Sequence, residues 1–192
     1  MTNKIAAEWV TAAFTAVIAI TGIIALIYAW KQLKQFREAA RVQHLVRLVE
    51  QFENPPLVNI RKSLADKRLR GTAEPPELEN LLNFFETIGL LVRRGHLDAS
   101  DVWSSFSYWM FNVFADFRGV IEEEQKDDPT YYSDFSELIE RLRLIEKEEG
   151  GTAYPPSADD IEEFWRYESR ISAGVPVRRR KPRRPANRTK SE

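Results

Sequence analysis

The sequence predicts an all-α protein: one N-terminal transmembrane helix continuing into a small cytoplasmic helical bundle, closed by a disordered basic tail. Three observations predict it. Trp9 to Trp30 carries no charged residue. The apolar residues beyond it recur at three- and four-residue spacing, and no strand-like alternation rivals them. The stretch from Val175 onward holds arginines, lysines and prolines with no hydrophobic pattern.

The membrane segment reads WVTAAFTAVIAITGIIALIYAW. As a helix it would span ~33 Å, close to the ~30 Å hydrocarbon core. Nine of its residues are Ile, Leu, Val or Phe, which favours insertion by about 3–5 kcal/mol. Trp9 sits at one edge and Tyr28 and Trp30 at the other, where amphipathic rings meet the two interfaces. The run is too long for a signal-peptide core of ~7–15 residues, and its leader, Lys4 against Glu8, is not basic. Lys31, Lys34, Arg37, Arg41 and Arg47 come after the span, opposed nearby by Glu38 and Glu50. The excess of cations predicts an inner (plasma) membrane protein with its N-terminus outside and its C-terminal domain in the cytoplasm.

The helix is expected to run on through Leu33, Phe36, Ala40, Leu45, Leu48, Val49 and Phe52 until Asn54-Pro55-Pro56 ends it. Leu57 to Leu69 reads as a short amphipathic helix, and Gly71 with Pro75-Pro76 as a break. Glu77 to Arg94 is apolar around nearly its whole circumference and predicts a central buried helix, its end marked by Arg93, Arg94 and Gly95. Asp98 or Ser100 can cap the next helix, whose stripe is Val102, Trp103, Phe106, Trp109, Val113, Phe114, Phe117, Val120 and Ile121. Asp127-Asp128-Pro129 breaks the chain. Tyr131 to Glu149 carries Phe135, Leu138, Ile139, Leu142 and Ile145. Ser157 with Asp160 resembles a capping box that opens a last helix through Phe164 and Trp165. The resulting division is 1–8 N-terminal tail, 9–30 transmembrane helix, 31–54 juxtamembrane helix, 55–172 helical domain and 173–192 polybasic tail.

Composition bounds the chemistry. With 192 residues, of which 43% are hydrophobic and 30% charged, the part outside the membrane makes one soluble domain. The chain has no cysteine, which excludes a disulfide framework, a thiolate nucleophile and cysteine metal sites, and agrees with a reducing compartment. No glycine-rich phosphate loop and no His-Glu-x-x-His helix occurs. With two histidines in all, a zinc site would need several carboxylates. We therefore expect no cofactor, no metal and no catalytic residue.

Three candidates stand against that expectation. Arg37 and His44, seven apart on one helix, resemble the arginine and histidine of the helical nucleotide-binding and RNase families often called HEPN. There the histidine would assist proton transfer and the arginine would stabilise phosphate charge. A basic juxtamembrane helix with an incidental histidine explains the pair more simply, because topology already demands the charge. Glu86 on an apolar helix, with His96 and Asp98 close behind, could make an acid–base pair, or a polar network at a helix end in which Glu86 is hydrogen-bonded or paired. The run Glu122-Glu123-Glu124 with Asp127 and Asp128 lacks the glycine turn and alternating oxygens of a calcium loop and reads as a solvated helix end.

The net charge of −1 hides an asymmetry. His96 to Gly174 holds nineteen acidic and seven basic residues, whereas Val175 to Ser191 holds eight basic residues and no acid. Arg178, Arg179, Arg180, Lys181, Arg183 and Arg184 form the densest part of the tail. Each cation near an anionic leaflet contributes ~1 kcal/mol, so anionic lipid headgroups are the expected partner. The anchor already holds the tail beside them. Nucleic acid ranks behind lipid, and the protein's own acidic half is a third acceptor.

The stretch Asn80 to Phe114, NLLNFFETIGLLVRRGHLDASDVWSSFSYWMFNVF, resembles an uncharacterised bacterial family catalogued as domain of unknown function 4760. The FFE of Phe84 to Glu86, the IGLLVRRGHLD of Ile88 to Asp98 and the aromatic helix after them carry the resemblance, which covers most of Trp9 to Leu144. It implies an N-terminal membrane helix, a basic juxtamembrane helix and a small helical domain, with no known activity. The tail is not part of the family's pattern. The sequence thus predicts a non-enzymatic, single-pass membrane protein with a cytoplasmic interaction or sensing domain, in which a protein partner or self-association is open. The alternative is a membrane-tethered enzyme acting on nucleic acid or nucleotide through Arg37 and His44.

Overall fold

The computed structural model of the chain describes residues 2–71, 76–151 and 154–171, the side chains of residues 2–20 and of Arg37 excepted. The described residues form six helices and no strand: α1 (Thr2–Glu53), α2 (Pro55–Leu69), α3 (Pro76–Arg93), α4 (Ala99–Asp127), α5 (Ser133–Glu148) and α6 (Ala158–Glu168). The chain divides into two compact units, Met1–Val42 and Gln43–Glu192.

The first unit is helical from Thr2. Every described side chain in it, beginning at Thr21, is exposed, including Ile23, Ile24, Leu26, Ile27, Tyr28, Trp30, Leu33 and Phe36. Among the described residues no helix is long and apolar enough to cross a membrane. The side chains of Trp9 to Ile20, more than half of the expected span, lie outside that description.

The second unit is a helical bundle with one core. Of the apolar stripe expected along α1, Leu48 and Phe52 are buried, and Leu45 and Val49 are partly covered. Phe52 sits amid Phe84, Phe106 and Trp109, with ring centroids 5.5, 5.5 and 5.1 Å away. Burying such a side chain contributes about 1.5–3 kcal/mol, and this one fastens the end of α1 to the core. Asn54 adopts the extended conformation that a following proline imposes, and α2 begins at Pro55 and Pro56, where missing donors cost nothing. Helix α3 packs against α2 and α5, α4 against α5 and α6, and α2 against α6.

Most helix boundaries fall where the breaking and capping residues place them. Gly95 takes a φ of 72°, and its N–H donates to the Val92 carbonyl while that of His96 returns to Leu91, closing α3. The Asp98 carboxylate caps α4 by accepting from Ser100 N–H at 2.8 Å. Ser157 and Asp160 make a complete capping box at α6. Two details differ from expectation. Helix α3 is not buried all round: Glu79, Asn80, Asn83 and Thr87 form an exposed stripe. Short polar residues every three or four positions leave that side to water. Met110 and Phe111 join the core of α4, whereas Trp103, Phe114 and Val120 are only partly covered.

Helices α2 and α3 are tied near the start of α3, where Glu77 accepts from Lys67 Nζ at 2.7 and 2.8 Å and from Ser63 Oγ at 2.8 Å. The Lys67 ammonium, then Glu77's own backbone N–H and the Ser63 hydroxyl hold its carboxyl down at about 2, against an ordinary 4.5. A depressed carboxyl contributes stability above its unfolded value that is lost as pH falls through its folded value. The wild type should therefore be more stable than Glu77→Gln at neutral pH. Thermal melts should show that advantage shrinking between pH 4.5 and about 2. A gap between the two proteins that stays constant across that window would contradict the assignment.

Candidate functional site

The buried charges of the second unit lie on apolar stripes. Arg61 falls between Leu57 and Val58 on one side and Leu64 and Ala65 on the other, all buried on α2. Glu168 follows Phe164 and Trp165 at the same spacing on α6, and Glu146 follows Leu142 on α5. Residues three and four apart share a helix face, so each of these side chains must enter the interior with the stripe.

The interior meets each of them with partners. Arg61 Nε donates to Glu168 Oε2 at 2.8 Å, with side-chain exposures of 2% and 1%. Arg61 Nη1 donates to the Phe52 carbonyl at 2.8 Å, satisfying one of the open carbonyls in the last turn of α1. The guanidinium carbon lies 3.9 Å from the centroid of the Phe52 ring. The Trp109 indole N–H donates to Glu168 Oε1 at 3.0 Å. One ion pair thus joins α1, α2, α4 and α6. A second knot lies on Asp116, which accepts a bidentate pair from Arg68 at 2.7 and 2.8 Å and the Trp165 indole N–H at 2.8 Å. The hydrogen bond to Asp116 raises the Arg68 pKa. Glu146 accepts from the Trp103 indole N–H at 2.7 Å.

The third knot explains Glu86. Helix α5 begins at Ser133 after Tyr132, which has a φ of 50° and makes no side-chain cap; Ser133 N–H donates back to the Thr130 carbonyl at 3.3 Å, and the next two amides look elsewhere for an acceptor. Glu86, on α3, supplies it: its carboxylate accepts from Asp134 N–H at 3.2 Å and Phe135 N–H at 2.7 Å. Burial pushes its pKa up, and the two amides pull it back. One turn on, Gly89 presents no side chain to the Asp134 carbonyl, and a further turn on Arg93 pairs with the Asp134 carboxylate through two nitrogens. Glu86, Gly89 and Arg93 occupy one face of α3 and together seat the start of α5.

The candidate acid–base group Glu86 is therefore a cap, the polar network that was its alternative reading. His96 lies instead beside His44, ring centroids 6.4 Å apart. The Arg37 side chain falls outside the described residues, so the Arg37 and His44 pairing is not described. In the acidic run, Glu122 and Glu123 pair with Arg118 and Lys126 on the surface, and Asp128 accepts from Thr130 N–H and Oγ1. Thr130 holds the Asp128 carboxyl below its ordinary value. Tyr28, Trp30, Lys31, Lys34 and Arg41 are exposed on α1. Trp9, Arg178, Arg179, Arg180, Lys181, Arg183 and Arg184 lie where side chains are not described. Among the described residues no three His, Asp or Glu side chains gather as metal ligands would.

Fold and site define a small all-helical bundle whose interior charges are used to join helices. The chain belongs to the family described as Domain of unknown function (DUF4760), which matches residues 16–142. No curated protein and no solved structure matches it. The matched stretch runs from α1 into α5 and includes Glu86, Gly89, Arg93 and Asp134. Glu168 and α6 lie beyond it.

Proposed function

We propose that the chain is a single-pass membrane protein, spanning the bilayer with residues 9–30 and presenting its helical domain to the cytoplasm as an interaction or sensing module. The observation that carries the reading is the character of α1 from Thr21 to Trp30: ten uncharged residues, all exposed, with isoleucine, leucine and aromatic side chains over more than half of the circumference and Thr21, Gly22, Ala25 and Ala29 on the rest. A helix with no charged face and so wide an apolar one is stable where lipid covers it. The cations from Lys31 to Arg47 favour the cytoplasmic side for the helical domain.

A role in binding rather than catalysis is supported by the use of the domain's interior charges. Arg61, Glu168, Glu86, Asp116 and Glu146 each make a hydrogen bond to another helix. The eight cations after Gly174 suit anionic headgroups at the cytoplasmic leaflet. Reporter fusions test the arrangement: a C-terminal green fluorescent protein should fluoresce in carbonate-washed membranes, and a C-terminal alkaline phosphatase should be inactive. An active phosphatase with a dark fluorescent fusion reverses the topology. Release of the chain by carbonate removes the anchor altogether.

A further inference from the structure

The chain has two histidines, and the fold brings them together from distant parts of the sequence. His44 lies on α1 within the second unit, one turn before the buried Leu48, and His96 lies in the turn between α3 and α4. The backbone under His96 is set by Gly95 at a φ of 72°, by two hydrogen bonds to the Leu91 carbonyl at 2.9 and 3.2 Å, and by the buried Leu97. Both imidazoles are exposed, tilted 53° to one another with ring centroids 6.4 Å apart.

We propose that His44 and His96 form a two-imidazole site for a borderline transition-metal cation of the Zn²⁺ or Ni²⁺ class. Metal–nitrogen bonds of about 2.0–2.1 Å place the centroids of two imidazoles on one ion roughly 5 to 6.5 Å apart. The observed spacing lies at the upper end of that range, and two exposed side chains close the rest by rotating about their own bonds. Imidazole is the ligand that selects this group of metals over hard cations such as Mg²⁺, which require oxygen. No third His, Asp or Glu among the described residues joins the pair as a ligand cluster. Water therefore completes the coordination, and the ion exchanges freely, unlike one in a closed structural site. A bound ion clips the last turns of α1 to the α3–α4 turn and so makes the domain's entry segment responsive to metal.

The test is isothermal titration of the tag-free, full-length protein in zwitterionic detergent with Zn²⁺, Ni²⁺ and Mg²⁺. Wild type should bind one Zn²⁺ or Ni²⁺ per chain and ignore Mg²⁺. His44→Gln and His96→Gln should each weaken binding by more than about tenfold, because a lone imidazole loses the effective concentration that the second provides. Both variants should melt like wild type without metal, since neither ring is buried. A wild type that binds no tighter than the double variant overturns the proposal. One ion shared by two chains also overturns it, because the two rings would then come from different molecules.

Discussion

Replacing Arg61 with alanine should cost the second unit about 3–5 kcal/mol, the range for breaking a buried ion pair by removing one partner. Such a loss is a large share of a domain stability of ~5–15 kcal/mol. The carboxylate of Glu168, 1% exposed, would keep the Trp109 indole as a donor but no countercharge. The Phe52 carbonyl would lose its donor, and the Phe52 ring the cation 3.9 Å above it. Glu168→Ala should cost a similar amount, by stranding the guanidinium. The double variant Arg61→Ala with Glu168→Ala should cost less than the two single changes together. Desolvating the pair offsets much of its attraction, and Arg61 Nη2 is buried with no hydrogen-bond partner among the described residues. Urea unfolding of the four proteins in detergent, followed by tryptophan fluorescence, closes the cycle. If the single changes add up in the double variant, the knot is not a coupled unit.

That knot is not legible in the sequence, although the helices holding it are. Breaks at Asn54-Pro55-Pro56, Gly95 and Asp127-Asp128-Pro129, the cap at Asp98 and the Ser157–Asp160 box are local signals, and local chemistry settles them. Arg61 sits among Lys62, Lys67, Arg68 and Arg70, and Glu168 comes after Glu162 and Glu163, so both look like members of solvated faces. Their partnership spans 107 positions, which no periodicity reports. The usable signal is their place on the apolar stripe, three and four residues from buried neighbours on α2 and α6. The same signal marks Glu146 on α5. The meeting of His44 with His96 carries no such mark, because both rings are exposed and nothing in their spacing brings α1 to the α3–α4 turn.

The stretch that carries the family resemblance also gains a physical account. Phe84, Phe85, Ile88 and Val92 fill the core, as apolar spacing predicts. Glu86, Gly89 and Arg93 do something spacing does not reveal, since they hold the first turn of a helix more than forty residues away. Tyr132 in the left-handed region leaves α5 without a cap of its own. A short glycine face on α3 lets the α5 backbone come close enough for Glu86 to act as that cap.

Gly89→Ala should therefore destabilise the domain, against the ordinary preference for alanine in a helix. The added Cβ would lie 2.3 Å from the Asp134 carbonyl oxygen, 2.5 Å from its carbon and 2.9 Å from Phe135 N. All three are backbone atoms of the turn that Glu86 and Arg93 hold, so none can swing aside as a flexible side chain would. Overpacking of this kind costs ~1–3 kcal/mol, while the gain in helix propensity from glycine to alanine is about 1 kcal/mol. The collision therefore outweighs the propensity gain, and Gly89→Val should be worse still. Gly119 supplies the control. It lies inside α4, is exposed, and a Cβ there would meet nothing within 4 Å. Gly119→Ala should raise stability by up to about 1 kcal/mol, so the same chemical change is expected to act with opposite sign at the two sites. Thermal melts of both variants beside wild type decide it. A melting temperature that rises in Gly89→Ala as it does in Gly119→Ala would mean that α3 and α5 do not approach as closely as the Glu86 cap requires.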